Sequence, residues 1–254
     1  MTRVLIISPQ AGFGNRVRAL RSGIFLALKS GRIPYHSWHK TEDDPSLPRN
    51  IREMAPGYSA FFEGLPEANL DLFPTVDLCL TEWMPNTFWY SKQSYAQKLW
   101  NVKNIRQASD VLETLKGPEE VVLLETSLDH SECPEYQSTM IYKNYFNPKI
   151  HVTLEAGTTG FQFRTNPLFI HYFPEAYAPE DKLIEWFNKN KTSLNFVTSD
   201  SFEFTKKLGG INTDWFTDFL LLSKCCKIYG TYQSSFAEEA ALFGGVPHLR
   251  ISAI

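Results

Sequence analysis

The sequence predicts an α/β protein made of two Rossmann-like lobes with a cleft between them. Three observations predict this fold class: a strand-loop-helix-strand pattern near the amino terminus, a second strand-helix series in the last third, and an irregular stretch at 141–167 between them. Asn-Pro pairs and a glycine punctuate that stretch. We therefore expect an N-terminal lobe over residues 1–150 and a C-terminal lobe over residues 151–254.

The N-terminal lobe begins with one βαβ unit. Residues 4–8 form a short apolar run typical of a buried parallel strand, and the glycines of 12–14 lie in the loop that follows. Apolar residues then recur at helical spacing from Asn15, which we expect to be the N-cap, as far as Gly31. Residues 33–38 are extended. Further along, we predict strands at 76–80 and 120–124 and mostly helix over 96–115.

The C-terminal lobe repeats the α/β alternation. We predict strands at 168–172, 194–198 and 227–231, and helices at 179–188, 200–208, 214–225 and 235–243. Ligands of such folds bind outside the carboxyl ends of the parallel strands. The loops at 9–15 and 230–235 are therefore expected to open into the cleft.

Composition excludes several classes of protein. A net charge of −3 and an isoelectric point of about 6.1 give no basic surface for nucleic acid or an anionic membrane. No apolar run is long enough to span a bilayer. The four cysteines lack the spacing of metal ligands, which favours a reducing compartment. We expect a cytoplasmic protein, or the excised catalytic domain of a larger one.

The first candidate binding loop comprises Gly12, Phe13, Gly14, Asn15 and Arg16. Glycines between a strand and a helix let a ligand approach the backbone, and the helix N–H groups attract anions. Further arginines at 18 and 21 crowd positive charge into the first helical turns, which an anionic ligand would offset. A tight turn with solvated arginines explains the pattern equally well. Val17 replaces the third glycine of a dinucleotide fingerprint, which argues against an oxidoreductase.

The second candidate loop runs from Gly230 to Glu238. Ser235 and Glu238 have the spacing of a capping box, and the hydroxyls of this loop gather at a positive helix end suited to a diphosphate. The alternative is that Ser235 merely caps its helix. Asp214 and Asp218 are one turn apart and would share a helix face. Either one of these acids reaches a ligand, or both are exposed acids near a helix start.

These segments resemble the fucosyltransferase superfamily, which includes the nodulation α1,6-fucosyltransferase, the α1,2- and α1,6-fucosyltransferases and the protein O-fucosyltransferases. Residues 12–20, with Gly31-Arg32 and Trp38, are similar to the opening of that superfamily. Residues 218–225, 228–231 and 234–236 are similar to its third motif, and 196–200 looks like its second.

The resemblance implies a GT-B fold with the acceptor largely in the N-terminal lobe and the nucleotide sugar in the C-terminal lobe. It also implies inverting, metal-independent transfer, commonly from GDP-fucose to a glycan or glycoprotein acceptor, and no cofactor. The sequence contains no Asp-x-Asp to hold a metal. By the match, Ser234, Ser235 and Phe236 hold the diphosphate, Asp200 and Asp218 place the nucleotide or sugar, and Asn15 with the 12–14 loop faces the reacting bond.

One departure from the family concerns its first donor motif, which reads roughly His-x-Arg-Arg. The counterpart expected here, at 169–173 around His171, lacks the arginine, and so does the alternative at 150–154. Arg164 or Lys149 would then have to neutralise the diphosphate. Without either, the donor is a different nucleotide sugar, or the protein binds a nucleotide or glycan without turning it over.

An inverting transferase needs a group that removes the proton of the acceptor hydroxyl. Asp43, between Glu42 and Asp44, is the candidate base, with a solvated acidic loop as the alternative. His36 and His39 are weaker candidates, since isolated histidines are more often structural.

Overall fold

The computed structural model describes residues 2–38, 57–82, 100–165, 178–211 and 213–251. The chain forms two compact units, Met1–Lys149 and Ile150–Ile254. Each unit contains a parallel β-sheet with helices packed against it.

In the described part of the N-terminal unit, the main sheet has five strands, all parallel. They are β1 (Val4–Pro9), β2 (Ile33–His36), β4 (Thr75–Thr81), β5 (Asn101–Gln107) and β6 (Val121–Thr126), while β3 (Phe62–Glu63) and β7 (Asn147–Pro148) form a separate antiparallel pair. The order in the large sheet is β2-β1-β6-β4-β5. The strand order therefore changes direction at β1, because β2 lies on one side of β1 and β6 lies on the other.

The first helix, α1 (Phe13–Ser30), lies directly against β1. Leu5, Ile6 and Ile7 are fully buried, as expected of a strand covered on both faces. A Cβ on Gly23 would come within 2.7 Å of the Ile7 side chain, so the close approach of helix and strand requires glycine there. The other helices of this unit are α2 (Tyr58–Phe61), α3 (Val111–Leu115) and α4 (Glu135–Tyr145).

The described residues of the C-terminal unit form a sheet of four parallel strands. They are β8 (Thr159–Phe163), β9 (Asn195–Ser199), β10 (Lys227–Thr231) and β11 (His248–Ile251), in the order β11-β10-β8-β9. The helices are α5 (Glu180–Asn190), α6 (Phe202–Lys207), α7 (Trp215–Ser223) and α8 (Ser235–Gly244). The strand order reverses between β8 and β10, because the chain goes from β8 to β9 on one side and returns to β10 on the other.

The sequence-based elements of the last third are confirmed from residue 179 onward, but one earlier prediction was wrong and one strand was missed. The stretch 96–115 was expected to be mostly helical, but its described part, residues 100–115, contains β5 and the short α3. β5 is an edge strand with mostly exposed side chains, so it lacks the apolar alternation that identifies a strand. The first strand of the C-terminal unit is β8, which we had not assigned. The strand predicted at 168–172 lies outside the described residues.

Candidate functional site

The carboxyl edge of the C-terminal sheet has the geometry of a ligand site. β8 and β10 are neighbours at the point where the strand order reverses, and ligands of open α/β sheets bind at such points. Arg164 directly follows β8, and its main-chain N–H donates to Thr231 Oγ1 at the end of β10, 3.0 Å away. The two loops at this edge are therefore tied together.

The loop after β10 makes an abrupt turn into α8. Gln233 has a φ of 65°, in the left-handed region that glycine normally occupies. Ser234 follows with extended torsions, and its carbonyl accepts the main-chain N–H of Glu238 at 3.2 Å. Ser234 is therefore the N-cap. The predicted capping box of Ser235 and Glu238 was wrong by one position, because Gln233 starts the turn one residue earlier.

The Ser234 hydroxyl lies buried at the start of α8. Its residue is 2% exposed, and Oγ makes no hydrogen bond to any part of the chain that the structure describes. An N-cap serine ordinarily accepts an N–H of its own first helical turn, and this one does not. Leaving a buried hydroxyl unpaired costs about 1–3 kcal/mol. The hydroxyl could therefore bind a ligand placed at the first turn of α8.

A second buried oxygen at this edge is also unpaired within the described residues. Gln162, 3% exposed, lies on β8 directly beside Gly230 of β10. Its side-chain amide donates to the Phe163 carbonyl at 3.0 Å, while its Oε1 has no hydrogen-bond partner. Strand β8 and the loop after β10 thus each present a buried side-chain oxygen that has no hydrogen-bond partner among the described residues.

Asp200 fixes the loop after β8. Its Oδ1 accepts from the main-chain N–H of Thr165 at 2.7 Å and from Thr165 Oγ1 at 3.0 Å. Its Oδ2 lies 3.6 Å from Arg164 Nη1. The Asp200 carboxylate is almost fully buried, whereas the Arg164 side chain is 25% exposed. Asp200 therefore orients a partly open guanidinium at the edge of the sheet.

The two aspartates expected on one helix face have different surroundings. Asp214 is the N-cap of α7 and accepts the N–H groups of Phe216 and Thr217, each at 3.0 Å. Asp218 is buried, with its oxygens 2.6 Å from the hydroxyls of Thr198 and Thr213. Burial raises the pKa of Asp218 above its usual value, since the hydrogen bonds offset desolvation only in part. Asp214 is a structural residue, and Asp218 is a buried acid that joins the end of β9 to the segment before α7.

The remaining donor candidates of α8 are both buried. Phe236 packs edge-on against Trp215 and Phe219, with ring centroids 6.3 and 5.7 Å apart. Its ring therefore belongs to the core between α7 and α8, and only its main chain is left to contact a ligand. Ser235 is the first residue of the helix and is 4% exposed. Together with Ser234, these residues present the N–H groups of a positive helix end.

The loop after β1 repeats the turn found before α8. Ala11 has a φ of 65°, and Gly12 follows as the N-cap, its carbonyl accepting the Arg16 N–H at 3.0 Å. The prediction of Asn15 as the N-cap was wrong, because the left-handed turn at Ala11 starts the helix earlier. Asn15 is instead half-buried in the first turn. A Cβ on Gly12 would meet nothing within 4 Å, so open space lies beside this residue.

Of the three arginines near the start of α1, Arg16 and Arg21 are buried and Arg18 is half-buried. Arg16 donates from Nε to the Ala11 carbonyl at 2.7 Å, and its guanidinium lies 5.6 Å from the Trp38 ring centre. Arg21 pairs with Asp129 at 2.5 Å. Phe13 packs edge-on against Phe61 in an aromatic cluster, and Gly14 is buried beside it. Arg16 and Phe13 therefore hold the loop in place from inside the unit.

A polar cluster that sequence reasoning missed lies at the carboxyl edge of the N-terminal sheet. Glu82 follows β4, and its carboxylate accepts hydrogen bonds from Thr126, Ser127 and His130. Burial alone would raise the pKa of Glu82, but these hydrogen bonds outweigh it and hold the pKa below its usual value. We call Glu82, Thr126, Ser127 and His130 the Glu82 cluster. Glu82 is far in sequence from the other three members and meets them because β4 pairs with β6.

Several sequence-based candidates lie outside the described residues, and others belong neither to the edge between β8 and β10 nor to the Glu82 cluster. Asp43, with Glu42, Asp44 and His39, and the donor-motif candidate His171 are not among the described residues. His36 is buried, with Nδ1 accepting the Trp38 N–H at 3.3 Å. His151 is exposed in a stretch without helix or strand. Lys149 lies 3.9 Å from Glu63 at the end of the first unit.

Among the residues that the structure describes, no helix has the length and apolarity to cross a membrane. The same residues contain no group of three or more His, Cys, Asp or Glu side chains arranged to hold a metal ion.

Known proteins resemble this chain in structure rather than in sequence. No family model and no curated protein matches it. The crystal structure of POFUT1 in complex with GDP-fucose matches with a TM-score of 0.62 at 12% identity, covering 98% of this chain and 97% of that one. The fucosyltransferase NodZ from Bradyrhizobium matches with a TM-score of 0.56 at 15% identity, covering 99% and 96%.

These likenesses confirm the predicted fold class. The chain has the two-lobed, Rossmann-like GT-B fold of fucosyltransferases, with parallel sheets in both units. A structure of the NodZ alpha-1,6-fucosyltransferase soaked with GDP-fucose has the same fold, with a TM-score of 0.56 at 14% identity.

Proposed function

We propose that this chain is an inverting glycosyltransferase of glycan biosynthesis, which moves a sugar from a nucleotide donor to a glycan or glycoprotein acceptor. The C-terminal unit binds the donor, and the N-terminal unit binds the acceptor. GDP-fucose is the proposed donor, because the structures of POFUT1 and NodZ that share this fold include complexes with it.

The observation that carries the proposal is the unpaired Ser234 hydroxyl at the positive end of α8. A diphosphate would accept this hydroxyl together with N–H groups of the first helical turn. Arg164, held by Asp200 at the end of the neighbouring strand β8, adds a positive charge. The hydroxyl and N–H groups thus follow β10 and the guanidinium follows β8, the two strands that flank the reversal point of the sheet.

In the proposed reaction, the acceptor oxygen attacks the anomeric carbon on the face opposite the diphosphate. The bond from that carbon to the diphosphate oxygen breaks, and its electron pair leaves with the diphosphate. One displacement inverts the anomeric configuration. Charge grows on the leaving diphosphate, so pre-positioned donors at α8 and Arg164 stabilise the transition state more than the bound substrate. Because the sequence has no Asp-x-Asp, the proposal assigns this task to the protein's own groups without a metal.

The second candidate function is a protein that binds a nucleotide or glycan without catalysis. The ion pair between Arg164 and Asp200 supports this second candidate, because a guanidinium shared with a carboxylate neutralises a bound diphosphate less completely. Binding and turnover separate the two candidates. The same measurement, made with several nucleotide sugars, tests whether the donor is one other than GDP-fucose.

The experiment has two parts, both in the presence of a chelator. Thermal unfolding with GDP, UDP and NAD measures binding, since a ligand at a hundred times its Kd adds about 2.7 kcal/mol to the free energy of unfolding. Release of GDP from GDP-fucose, with a panel of glycan acceptors, measures transfer. We expect GDP to stabilise the protein most and an acceptor to accelerate its release. Stabilisation without release would identify a binding protein, and a clear preference for UDP would overturn the donor assignment.

A further inference from the structure

The Glu82 cluster joins a carboxylate to a histidine at the carboxyl edge of the N-terminal sheet. Glu82 Oε1 lies 2.5 Å from His130 Nε2, and the two side chains are 10% and 15% exposed. Glu82 follows β4 and Ser127 follows β6, two adjacent strands. β6 also borders β1, where the strand order of this sheet changes direction, so the cluster lies where α/β folds bind ligands.

Within this cluster, the Glu82 carboxylate is already saturated. Its oxygens accept from His130 Nε2, from Thr126 Oγ1, and from both the main-chain N–H (3.1 Å) and the hydroxyl (3.3 Å) of Ser127. A carboxylate with its lone pairs occupied in this way holds its negative charge and is a poor acceptor of a further proton. Glu82 therefore acts on its neighbour rather than on a ligand.

The hydrogen bond to Glu82 uses only one of the two ring nitrogens of His130. Because Nε2 donates to the carboxylate, Nδ1 carries the lone pair of the neutral ring. Nδ1 makes no hydrogen bond to any residue in the described ranges. A histidine whose one nitrogen is held by a carboxylate, and whose other nitrogen is unoccupied, has the geometry of a general base.

The loop that carries His130 is anchored to α1 at two points. The His130 main-chain N–H donates to the Ser22 hydroxyl of α1 at 3.0 Å. The preceding residue, Asp129, pairs with the buried Arg21 of the same helix at 2.5 Å. The imidazole is thus fixed by its own main chain, by an ion pair and by Glu82. Such pre-positioning is what proton transfer in a transition state requires.

We propose that His130 is the general base of the transfer reaction and that Glu82 is its positioning residue. This inference rests on the proposed function. As the acceptor oxygen bonds to the anomeric carbon, its proton passes to His130 Nδ1, and the electron pair of the broken bond leaves with the diphosphate. The Glu82 carboxylate stabilises the imidazolium that forms, and the proton later passes to solvent.

The test measures GDP release from GDP-fucose, with and without acceptor, in the full-length chain. We expect His130→Ala to lower kcat about 10²- to 10⁴-fold, with the affinity for GDP unchanged. Added imidazole should restore part of the activity of His130→Ala but not change the wild type. Glu82→Gln should lower kcat with little change in KM, and Glu82→Asp should recover part of the loss. Glu113→Gln, an exposed acid on α3, is the matched control and should behave as the wild type.

The outcomes separate this inference from the proposed function. A wild type that binds GDP but never releases it from GDP-fucose would overturn the transferase assignment, and the general base with it. A wild type that turns over, with a His130→Ala variant of equal kcat, would overturn the role of His130 alone. Loss of activity without rescue by imidazole, in a variant that also loses affinity for GDP, would assign His130 a structural role instead.

Discussion

The main-chain N–H of Arg164 donates to Thr231 Oγ1 across 3.0 Å, which joins the ends of β8 and β10. This contact holds together the two loops at the reversal point of the C-terminal sheet. One loop contributes the Arg164 guanidinium and the other the Ser234 hydroxyl. The proposed donor site therefore depends on the strand order of the sheet, which brings together residues that are far apart in the sequence of the C-terminal unit.

Ser234→Ala should weaken GDP binding about ten- to a hundredfold, because it removes one hydrogen bond to a charged phosphate. The melting point of the free protein should change little, since the hydroxyl has no partner among the described residues. Calorimetric titration and thermal unfolding measure the two effects.

Ser201 provides a matched control for that variant, because it is an N-cap serine whose hydroxyl accepts the Phe204 N–H at 3.2 Å. Ser201→Ala should cost about 1 kcal/mol of stability and leave GDP affinity intact. If Ser234→Ala behaves like Ser201→Ala, the serine serves only its helix.

Arg164→Gln should reduce affinity for GDP about ten- to a hundredfold and leave affinity for guanosine unchanged, because the lost charge faces the diphosphate. Titrations with both ligands make the comparison, and Arg106→Gln, on the exposed strand β5, is the control. Equal losses for GDP and guanosine would show that Arg164 shapes the site as a whole rather than contacting phosphate.

Asp218→Asn should make the protein more stable relative to the wild type as the pH rises. Burial raises the pKa of Asp218, so the folded state holds this proton more tightly than the unfolded state. Its contribution to stability is present at low pH and is lost as the pH rises through the folded pKa. Urea unfolding of both proteins from acid to neutral pH tests this, and a constant difference between them would contradict it.

Gln233→Gly should stabilise the free protein by about 0.5–1 kcal/mol, because glycine adopts the left-handed torsion of this position without the cost of a Cβ. The converse control is Gly31→Ala, which places a Cβ at the left-handed end of α1, at a φ of 67°. That variant should lose about 1 kcal/mol. Denaturant unfolding checks both, and a loss of stability in Gln233→Gly would show that the glutamine side chain supports the turn.

The sequence predicts most of the C-terminal fold, because buried strands such as Lys227–Thr231 and their helices have distinct apolar periods. The sequence does not predict β5, because an exposed edge strand lacks the alternation of apolar and polar residues that identifies a strand. The N-caps were misplaced because backbone torsions at Ala11 and Gln233, which local residue types do not reveal, decide where each helix begins.

The two candidate sites differ in how far they could be predicted. The serines of the donor site are adjacent in sequence and form a recognisable motif. Glu82 and His130 meet only through the pairing of β4 with β6, and no local pattern links them. The sequence indicates Arg164 as a residue that could neutralise the diphosphate, but its position beside Thr231 depends on the strand order.

The most direct test of the account is to map amide chemical-shift changes in the full-length protein as GDP is added in the presence of a chelator. The account predicts that the largest changes fall at the ends of β8 and β10, over residues 164–165 and 231–236. It would be contradicted by changes confined to other parts of the chain, or by no change at GDP concentrations that saturate the thermal shift.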